Sequence, residues 1–298
     1  MRMDNKVLFS VLIANYNNGL YLEDAINSVH RQTYNNWEIV IVDDCSTDNS
    51  NELYDKYEKD SRIRIYYNDC NHGCGYTKRR CAELAKGEIC GFLDPDDTLE
   101  PDALEIMVSE HLKDESLSMV YSRYNEVDEH LNFIRVSNQQ QDIPENSSFL
   151  EGSGGISHFV TFKTVAYRKT PGIDASFLRA VDHDMYYMLE EVGNVKFVDK
   201  VLYNYRTNTG LNISLGGNEN KAYLWHIIGM VDACRRRGLP IEDIVFVELE
   251  SWHEQRADQK SIEAVKKVLN TTSFKVGNFI LKPFVGVLSL LRMSIHKG

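Results

Sequence analysis

Short apolar runs and amphipathic segments alternate through the first hundred residues of the chain. The apolar runs are rich in β-branched residues, which is typical of buried strands. The segments between them repeat apolar side chains every three or four positions, as Leu22, Ile26 and Val29 do, and this spacing predicts helices. The predicted strands span 7–14, 37–42, 63–67 and 89–93, and the predicted helices span 21–32, 49–59 and 76–86.

This alternation predicts an α/β fold in which a mostly parallel sheet is flanked by helices. Each strand–helix–strand unit predicts a right-handed parallel crossover, so the polar loops gather at the carboxyl ends of the strands. Later in the chain, 220–237 and 261–269 read as helices that pack over this unit. We therefore expect a helical extension at the C-terminal end.

Three carboxylates follow the fourth predicted strand directly, at Asp94, Asp96 and Asp97. Clustered carboxylates repel one another unless a positive charge lies between them, and their hard oxygens suit Mg²⁺ or Mn²⁺ bound together with a ligand's phosphates. The alternative is a solvated turn, because proline and aspartate favour turns and a helix could begin near Pro101. The residues alone leave both interpretations open.

Two other loops carry candidate ligand-binding residues. Asp44 ends the second strand, where a carboxylate can accept hydrogen bonds from a ribose or a base edge. The loop at 71–80 combines two glycines with three cations at a helix start, which could face a phosphate or form a solvated basic turn. The loop after strand one contains only Gly19, so the three-glycine dinucleotide fingerprint is missing and a nicotinamide cofactor is disfavoured.

The composition limits the classes of binding partner and the cellular compartment that we expect for this chain. The chain has 33 basic and 44 acidic residues, and a net charge of −11 argues against nucleic-acid binding. Six cysteines without a signal-peptide pattern at the start predict a reducing compartment, the cytoplasm. The cysteines at Cys70, Cys74, Cys81 and Cys90 lack paired Cys-x-x-Cys knuckles, so their spacing disfavours a structural zinc site.

The segment 274–292 is strongly apolar and flanked by cations, but Lys282, Pro283 and Gly286 interrupt it, so it is too broken to span a bilayer. Two interpretations remain open. The segment lies peripherally on the inner face of the membrane with its cations toward lipid phosphates, or it packs against the protein or a partner subunit. The oligomeric state is also open, a homo-oligomer included.

Five segments of the first third resemble one known family, in order and at its spacing. The matching segments are 10–17, 28–34, 38–48, 85–88 and 92–97. The resemblance is to family 2 glycosyltransferases, which have the GT-A (Rossmann-like) fold. It implies that Asp94 and Asp96 bind Mg²⁺ or Mn²⁺. The residues that it implies for nucleotide-sugar binding are Ala14, Tyr16, Asp43, Asp44, Lys78 and Asp96.

The second half resembles the family less closely. The stretch 172–189 is similar to the family's acceptor-side segment, whose acid pair supplies the general base. Val181 stands at the usual glutamate position of that pair. The resemblance therefore leaves Asp182 as the matching base, with Asp184 as its alternative. Asn208 stands where many relatives carry histidine. His158 ends a glycine-rich loop that either contacts the acceptor or only connects elements.

The resemblance implies inverting transfer of a sugar from a nucleotide-diphosphate donor, UDP-linked, to a hydroxyl group of a glycan or lipid-linked acceptor, in cell-surface polysaccharide synthesis. The alternative is a catalytically inactive nucleotide-sugar or carbohydrate-binding module, motivated by Val181 and Asn208. A nucleotidyltransferase would carry a glycine- and arginine-rich loop after strand one, which is absent. The expected domains are a catalytic domain at 1–215, with a nucleotide half (1–100) and an acceptor half (101–215), and a helical region at 216–298.

Overall fold

The computed structural model describes residues 7–152, 155–207, 209 and 217–256. Within these residues, strands from both halves of the sequence join into one mixed sheet, in the order β3-β2-β1-β4-β8-β6-β9-β5, with β7 paired to β6. The strands are β1 (Phe9–Asn15), β2 (Trp37–Asp43), β3 (Ile63–Tyr67), β4 (Ile89–Phe92), β5 (Thr98–Leu99), β6 (Leu117–Val127), β7 (Phe133–Val136), β8 (Val160–Lys163) and β9 (Asn194–Arg206).

The first four strands are parallel, as predicted. Phe9 of β1 lies between Trp37 of β2 and Ile89 of β4, and β2 pairs in parallel with β3. Every residue of β2 is buried, which explains why residues 39–42 form a continuous apolar run rather than an alternating pattern. The carboxyl ends of β1, β2 and β4 therefore lie at one edge of the sheet, where their polar loops meet.

The other half of the sheet is mixed. β8 is antiparallel to both β4 and β6, whereas β6 and β9 run parallel. β5 follows the acidic cluster immediately and pairs with β9, with Leu99 opposite Tyr203. This short antiparallel pairing places the end of β9 beside the loop 94–97, which the sequence pattern did not predict.

Helices cover both faces of the sheet. The second predicted helix is much shorter than expected, because most side chains after Tyr54 are exposed and the chain continues through turns with i→i−3 hydrogen bonds, such as Tyr57 N–H to the Tyr54 carbonyl oxygen. The helices are α1 (Gly19–His30), α2 (Ser50–Tyr54), α3 (Cys74–Leu84), α4 (Ala103–Lys113), α5 (Thr164–Tyr167), α6 (Val181–Glu190), α7 (Glu219–Arg237) and α8 (Ile241–Arg256).

Successive residues of β1 supply two apolar layers, one on each face of the sheet. Val11 and Ile13 pack with α1 and α4, whereas Leu12 packs with α3 and α6. A third cluster lies between α6, α7 and α8. α7 ends at Gly238, whose φ of 65° is the left-handed conformation expected after a helix.

Three predictions fall outside the described residues: the helix at 261–269, the apolar segment at 274–292, and the role of Asn208. Across the ranges that are described, no helix combines the length and the apolar character needed to cross a membrane. The division at residue 215 stays a prediction.

Candidate active site

Three predicted site residues from distant parts of the sequence meet in one partly exposed polar cluster, which we name the cleft. Lys78 on α3 places its Nζ 2.7 Å from Oδ1 of Asp182 at the start of α6 and 3.3 Å from Oδ1 of Asp94 after β4. Lys78 is only 5 % exposed, while the two carboxylates are about one-third exposed. The cleft thus presents two carboxylates to solvent over a buried ammonium group.

The charges in this cleft depend on one another. Burial by itself lowers the pKa of Lys78, but Asp182 and Asp94 outweigh it and raise that pKa well above its ordinary value. Burial likewise raises the pKa of Asp182, but the Lys78 ammonium holds it below the usual range. Lys78 is therefore charged, and Asp182 is an ionised carboxylate held by an ion pair.

The other two acids of the loop differ from Asp94. Burial and the charge of Asp94 raise the pKa of Asp96 to about 6, and its Oδ2 lies 3.4 Å from the Thr209 hydroxyl. Asp97 is 1 % exposed and accepts hydrogen bonds from the Tyr203 hydroxyl and the Arg206 backbone N–H, both at 2.7 Å. Burial, Asp96 and Asp94 raise the pKa of Asp97 well above its usual range. Asp97 therefore ties β9 to the loop and does not face the cleft.

Arg206 is a supporting residue that sequence reasoning missed. Its guanidinium is buried and donates from Nε to the Asp96 carbonyl oxygen at 2.7 Å, and from Nη2 to Asp24 Oδ2 at 2.8 Å. It also donates to the Glu129 carbonyl oxygen and lies over the Tyr21 ring. Because Asp24 precedes Arg206 by 182 positions, no local pattern in the sequence signals this contact.

Asp43 lies in a buried polar network at the end of β2. It is 1 % exposed, and its carboxylate accepts hydrogen bonds from the Tyr54 hydroxyl, the Asn15 side chain and the Ser46 backbone N–H. These contacts join the ends of β1 and β2 to α2. The carboxylate is thus directed into the protein rather than toward the cleft.

Asp44 organises the loop before α3. Its Oδ1 accepts from Asn68 Nδ2 at 2.7 Å and from the His72 N–H at 2.9 Å, and its Oδ2 accepts from the Gly73 N–H at 2.8 Å. The two glycines of this loop serve local structure: Gly73 has a φ of 90°, and a Cβ at Gly75 would lie 2.5 Å from the Phe177 carbonyl oxygen. The close approach at Gly75 is therefore to the acceptor-side segment of the chain itself.

Ala14 and Tyr16 border the same edge of the sheet. Ala14 is half-buried near the end of β1, and Tyr16 in the following loop is 45 % exposed. A flat ring with this much free surface is available to stack against a ligand.

His158 lies in an aromatic stack beside the cleft. Its ring stacks on Tyr203 at 5.1 Å and on Tyr205 at 5.3 Å between centroids. Burial lowers the pKa of His158, although the negative charges of Asp94 and Asp182 act in the opposite direction. A neutral imidazole beside both carboxylates can accept or donate a hydrogen bond.

Asp184, the alternative base, lies on the opposite side of α6 from the cleft. It is 5 % exposed, and its Oδ1 lies 3.6 Å from Arg236 Nη1 on α7, too far for a hydrogen bond. Burial raises the pKa of Asp184 to about 6, and the Arg236 charge only partly opposes this. Asp184 therefore packs between helices, and the structure does not bring it to Lys78.

The sequence model described as glycosyl transferase family 2 matches residues 10–171 of this chain. Chondroitin synthase of Escherichia coli is 35 % identical over 209 residues, covering 70 % of this chain and 30 % of that protein. Hyaluronan synthase of Pasteurella multocida is 35 % identical over 210 residues, covering 70 % and 21 %. The chain thus spans less than a third of the length of these relatives.

Among solved structures, S. aureus TarS in complex with UDP superposes with a TM-score of 0.64, at 18 % identity, over 94 % of this chain and 80 % of that one. At that identity the likeness concerns the fold, and it confirms the predicted GT-A architecture. The family model covers more than half of the chain, including β1 to β4 and the acidic loop. The chain therefore belongs to glycosyl transferase family 2.

Proposed function

We propose that this chain transfers a sugar from a UDP-linked donor to a hydroxyl group of a glycan or lipid-linked acceptor, in the synthesis of a cell-surface polysaccharide. The observation that carries this proposal is the meeting of Lys78, Asp94 and Asp182 in one cleft. Such a cleft offers a cation for phosphate, a carboxylate for a metal and a carboxylate for proton removal. The names of the relatives, which make chondroitin and hyaluronan, support a polysaccharide product.

Asp94 and Asp96 would hold Mg²⁺ or Mn²⁺. Their oxygen donors suit these hard cations. Burial and then the charge of Asp94 raise the pKa of Asp96, and a bound cation would relieve the repulsion between the two carboxylates. When bound, the ion neutralises negative charge on the departing diphosphate. Arg206 and Asp97 keep the loop in place, because they fasten its backbone to β9.

Lys78 would link donor binding to activation of the base. In the structure its ammonium pairs with Asp182, and this pairing makes the carboxylate a weaker base. A donor diphosphate placed near Lys78 would compete for the ammonium and leave Asp182 free to accept the acceptor's hydroxyl proton. Deprotonation would thus follow donor binding. Base-assisted single displacement inverts the anomeric carbon, by analogy with inverting glycoside chemistry.

The remaining predicted residues divide into two roles. Tyr16 and Ala14 would line the nucleotide pocket, and His158 would face the acceptor beside Asp182. For Asp43 and Asp44 the geometry favours positioning over direct contact, because their oxygens already accept hydrogen bonds from neighbouring loops. Both would act by holding the pocket's loops.

The alternative is a binding module without catalysis, and the environment of Val181 favours it. The valine side chain is buried at 3 % exposure in the apolar layer under α6, so the family's usual glutamate is replaced by a core residue. Incubation with UDP-sugars and Mn²⁺ separates the two functions. An enzyme releases UDP by slow donor hydrolysis, whereas a pure binder releases none.

The test of the assignment compares Asp182→Asn with Asp184→Asn. Loss of a general base lowers turnover by about 10²–10⁴-fold, so Asp182→Asn should lose transfer while UDP binding stays measurable by calorimetry. Asp184→Asn should keep transfer, because its side chain faces α7. Full activity in Asp182→Asn, or a matching loss in Asp184→Asn, would overturn the assignment of the base.

A further inference from the structure

We propose that Asp69, Cys70 and His72, in the loop between β3 and α3, form a binding site for a thiophilic divalent cation of the Zn²⁺ type. The three side chains offer one oxygen, one sulfur and one nitrogen donor, and these atoms all lie within 4.8 Å of one another. The site is distinct from the Asp94 and Asp96 pair, which offers oxygen alone.

The imidazole of His72 is shared by the other two donors. Its Nε2 lies 2.7 Å from Asp69 Oδ1 and 3.4 Å from Cys70 Sγ. In a tetrahedral zinc site with ordinary bond lengths, a sulfur and a nitrogen ligand are about 3.5 Å apart. The Cys70–His72 separation therefore already matches that of two ligands of one ion. The Asp69 oxygen, now at hydrogen-bond distance from His72, would move away from it by about half an ångström to become the third ligand.

Contacts with Tyr76 and Asp44 hold the loop in this conformation. The His72 ring stacks on Tyr76 with 4.3 Å between centroids, and its backbone N–H donates to Asp44. The donors themselves remain accessible, since the side chains of His72 and Asp69 are 32 % and 88 % exposed. A fixed imidazole beside accessible sulfur and oxygen donors lowers the entropic cost of assembling the site.

The donor set selects the kind of metal. Thiolate and imidazole ligands favour Zn²⁺ and similar ions over Mg²⁺, which prefers oxygen. Three protein ligands leave the fourth tetrahedral position to water. The sequence lacks paired cysteine knuckles, but in this loop histidine and aspartate complete the donor set around a single cysteine.

A bound ion would also act on the proposed donor pocket, and this consequence rests on the proposed function. The N–H groups of His72 and Gly73 hold the Asp44 carboxylate. An ion that joins Asp69, Cys70 and His72 would restrict the motion of that loop, and so would hold Asp44 more rigidly in place. Metal binding itself does not depend on the transferase assignment.

Titration of the reduced protein with Co²⁺ tests the site, because a Co²⁺–thiolate bond gives a charge-transfer absorption band that oxygen ligands alone do not give. We expect one equivalent to produce the band and Zn²⁺ to abolish it by displacement. Cys70→Ser should remove the band. His72→Gln should weaken Co²⁺ binding by at least about 10–100-fold. Loss of an outer-shell partner costs that much, and His72 is proposed as a direct ligand.

Three controls make the result specific. His130→Gln alters an exposed histidine that lies 3.7 Å from Glu129 without a nearby thiol in the described structure, and it should leave the titration unchanged. Cys45→Ser should keep the band, because all three donors remain. The Asp94→Asn/Asp96→Asn double variant should also keep it, which separates this site from the proposed transferase metal. Absence of the band in the wild type, or its survival in Cys70→Ser, would overturn the proposal.

Discussion

Replacing Asp184 by asparagine should make the protein more stable at neutral pH and remove part of its pH dependence. The carboxylate is buried between α6 and α7, where Arg236 lies at 3.6 Å and the like charges of Asp232 and Asp174 oppose ionisation. Burial is the largest cause of its raised pKa, so ionising Asp184 costs the native state free energy that it does not cost the unfolded chain. Asparagine keeps the shape and removes the charge.

The size of the effect follows from the pKa of Asp184, which rises from 3.8 to about 6 in the folded protein. Above pH 6 this shift is equivalent to about 3 kcal/mol of lost stability. The native state binds more protons than the unfolded state between pH 4 and 6, so the wild type loses stability as pH rises through that window. At pH 4 most of the penalty is absent, because the native carboxyl is protonated.

Urea unfolding of wild type and Asp184→Asn at pH 4 and pH 7.5 measures this effect. The stability of the variant relative to wild type should increase by about 2 kcal/mol between the two pH values. Any constant cost of burying the amide cancels in this comparison. Asp55→Asn, at an exposed position, is the control and should show no such change. A relative stability that does not depend on pH would refute the reasoning.

Two further substitutions test the cleft and its support. Lys78→Met should weaken UDP binding by about 10–100-fold in calorimetry, because a hydrogen bond to a charged group contributes about 1.5–3 kcal/mol. Unchanged UDP affinity would contradict the proposed contact between Lys78 and the diphosphate. Arg206→Lys should lower the free energy of unfolding in urea by about 3 kcal/mol, because the Asp96, Glu129 and Asp24 oxygens are bonded to three different guanidinium nitrogens, and one ammonium nitrogen cannot reach all three. The exposed Arg135→Lys should change stability by less than about 1 kcal/mol, and a similarly small effect at Arg206 would contradict its supporting role.

Local pattern was sufficient for the parallel half of the fold. The runs that became β1, β2 and β4 are mostly apolar because both faces of these strands are buried, and the loops after them are polar because they end at one edge. The helix predicted over 49–59 ends at Tyr54, because most of the side chains that follow are exposed and give a longer helix little packing. Pairings of β5, β8 and β9 left no local signal, because they join segments far apart in sequence.

The candidate site shows the same division. Residue type and spacing along the chain identified the side chains that could do chemistry: the acids after β4, the cation in α3 and the acid pair at the start of α6. The packing of α6 against α3 and α7 directs Asp182 toward Lys78 and buries Asp184, and the pairing of β9 brings Arg206 to the loop of Asp96. Residue type and spacing follow from local chemistry, but the direction of a side chain depends on which elements pack against it.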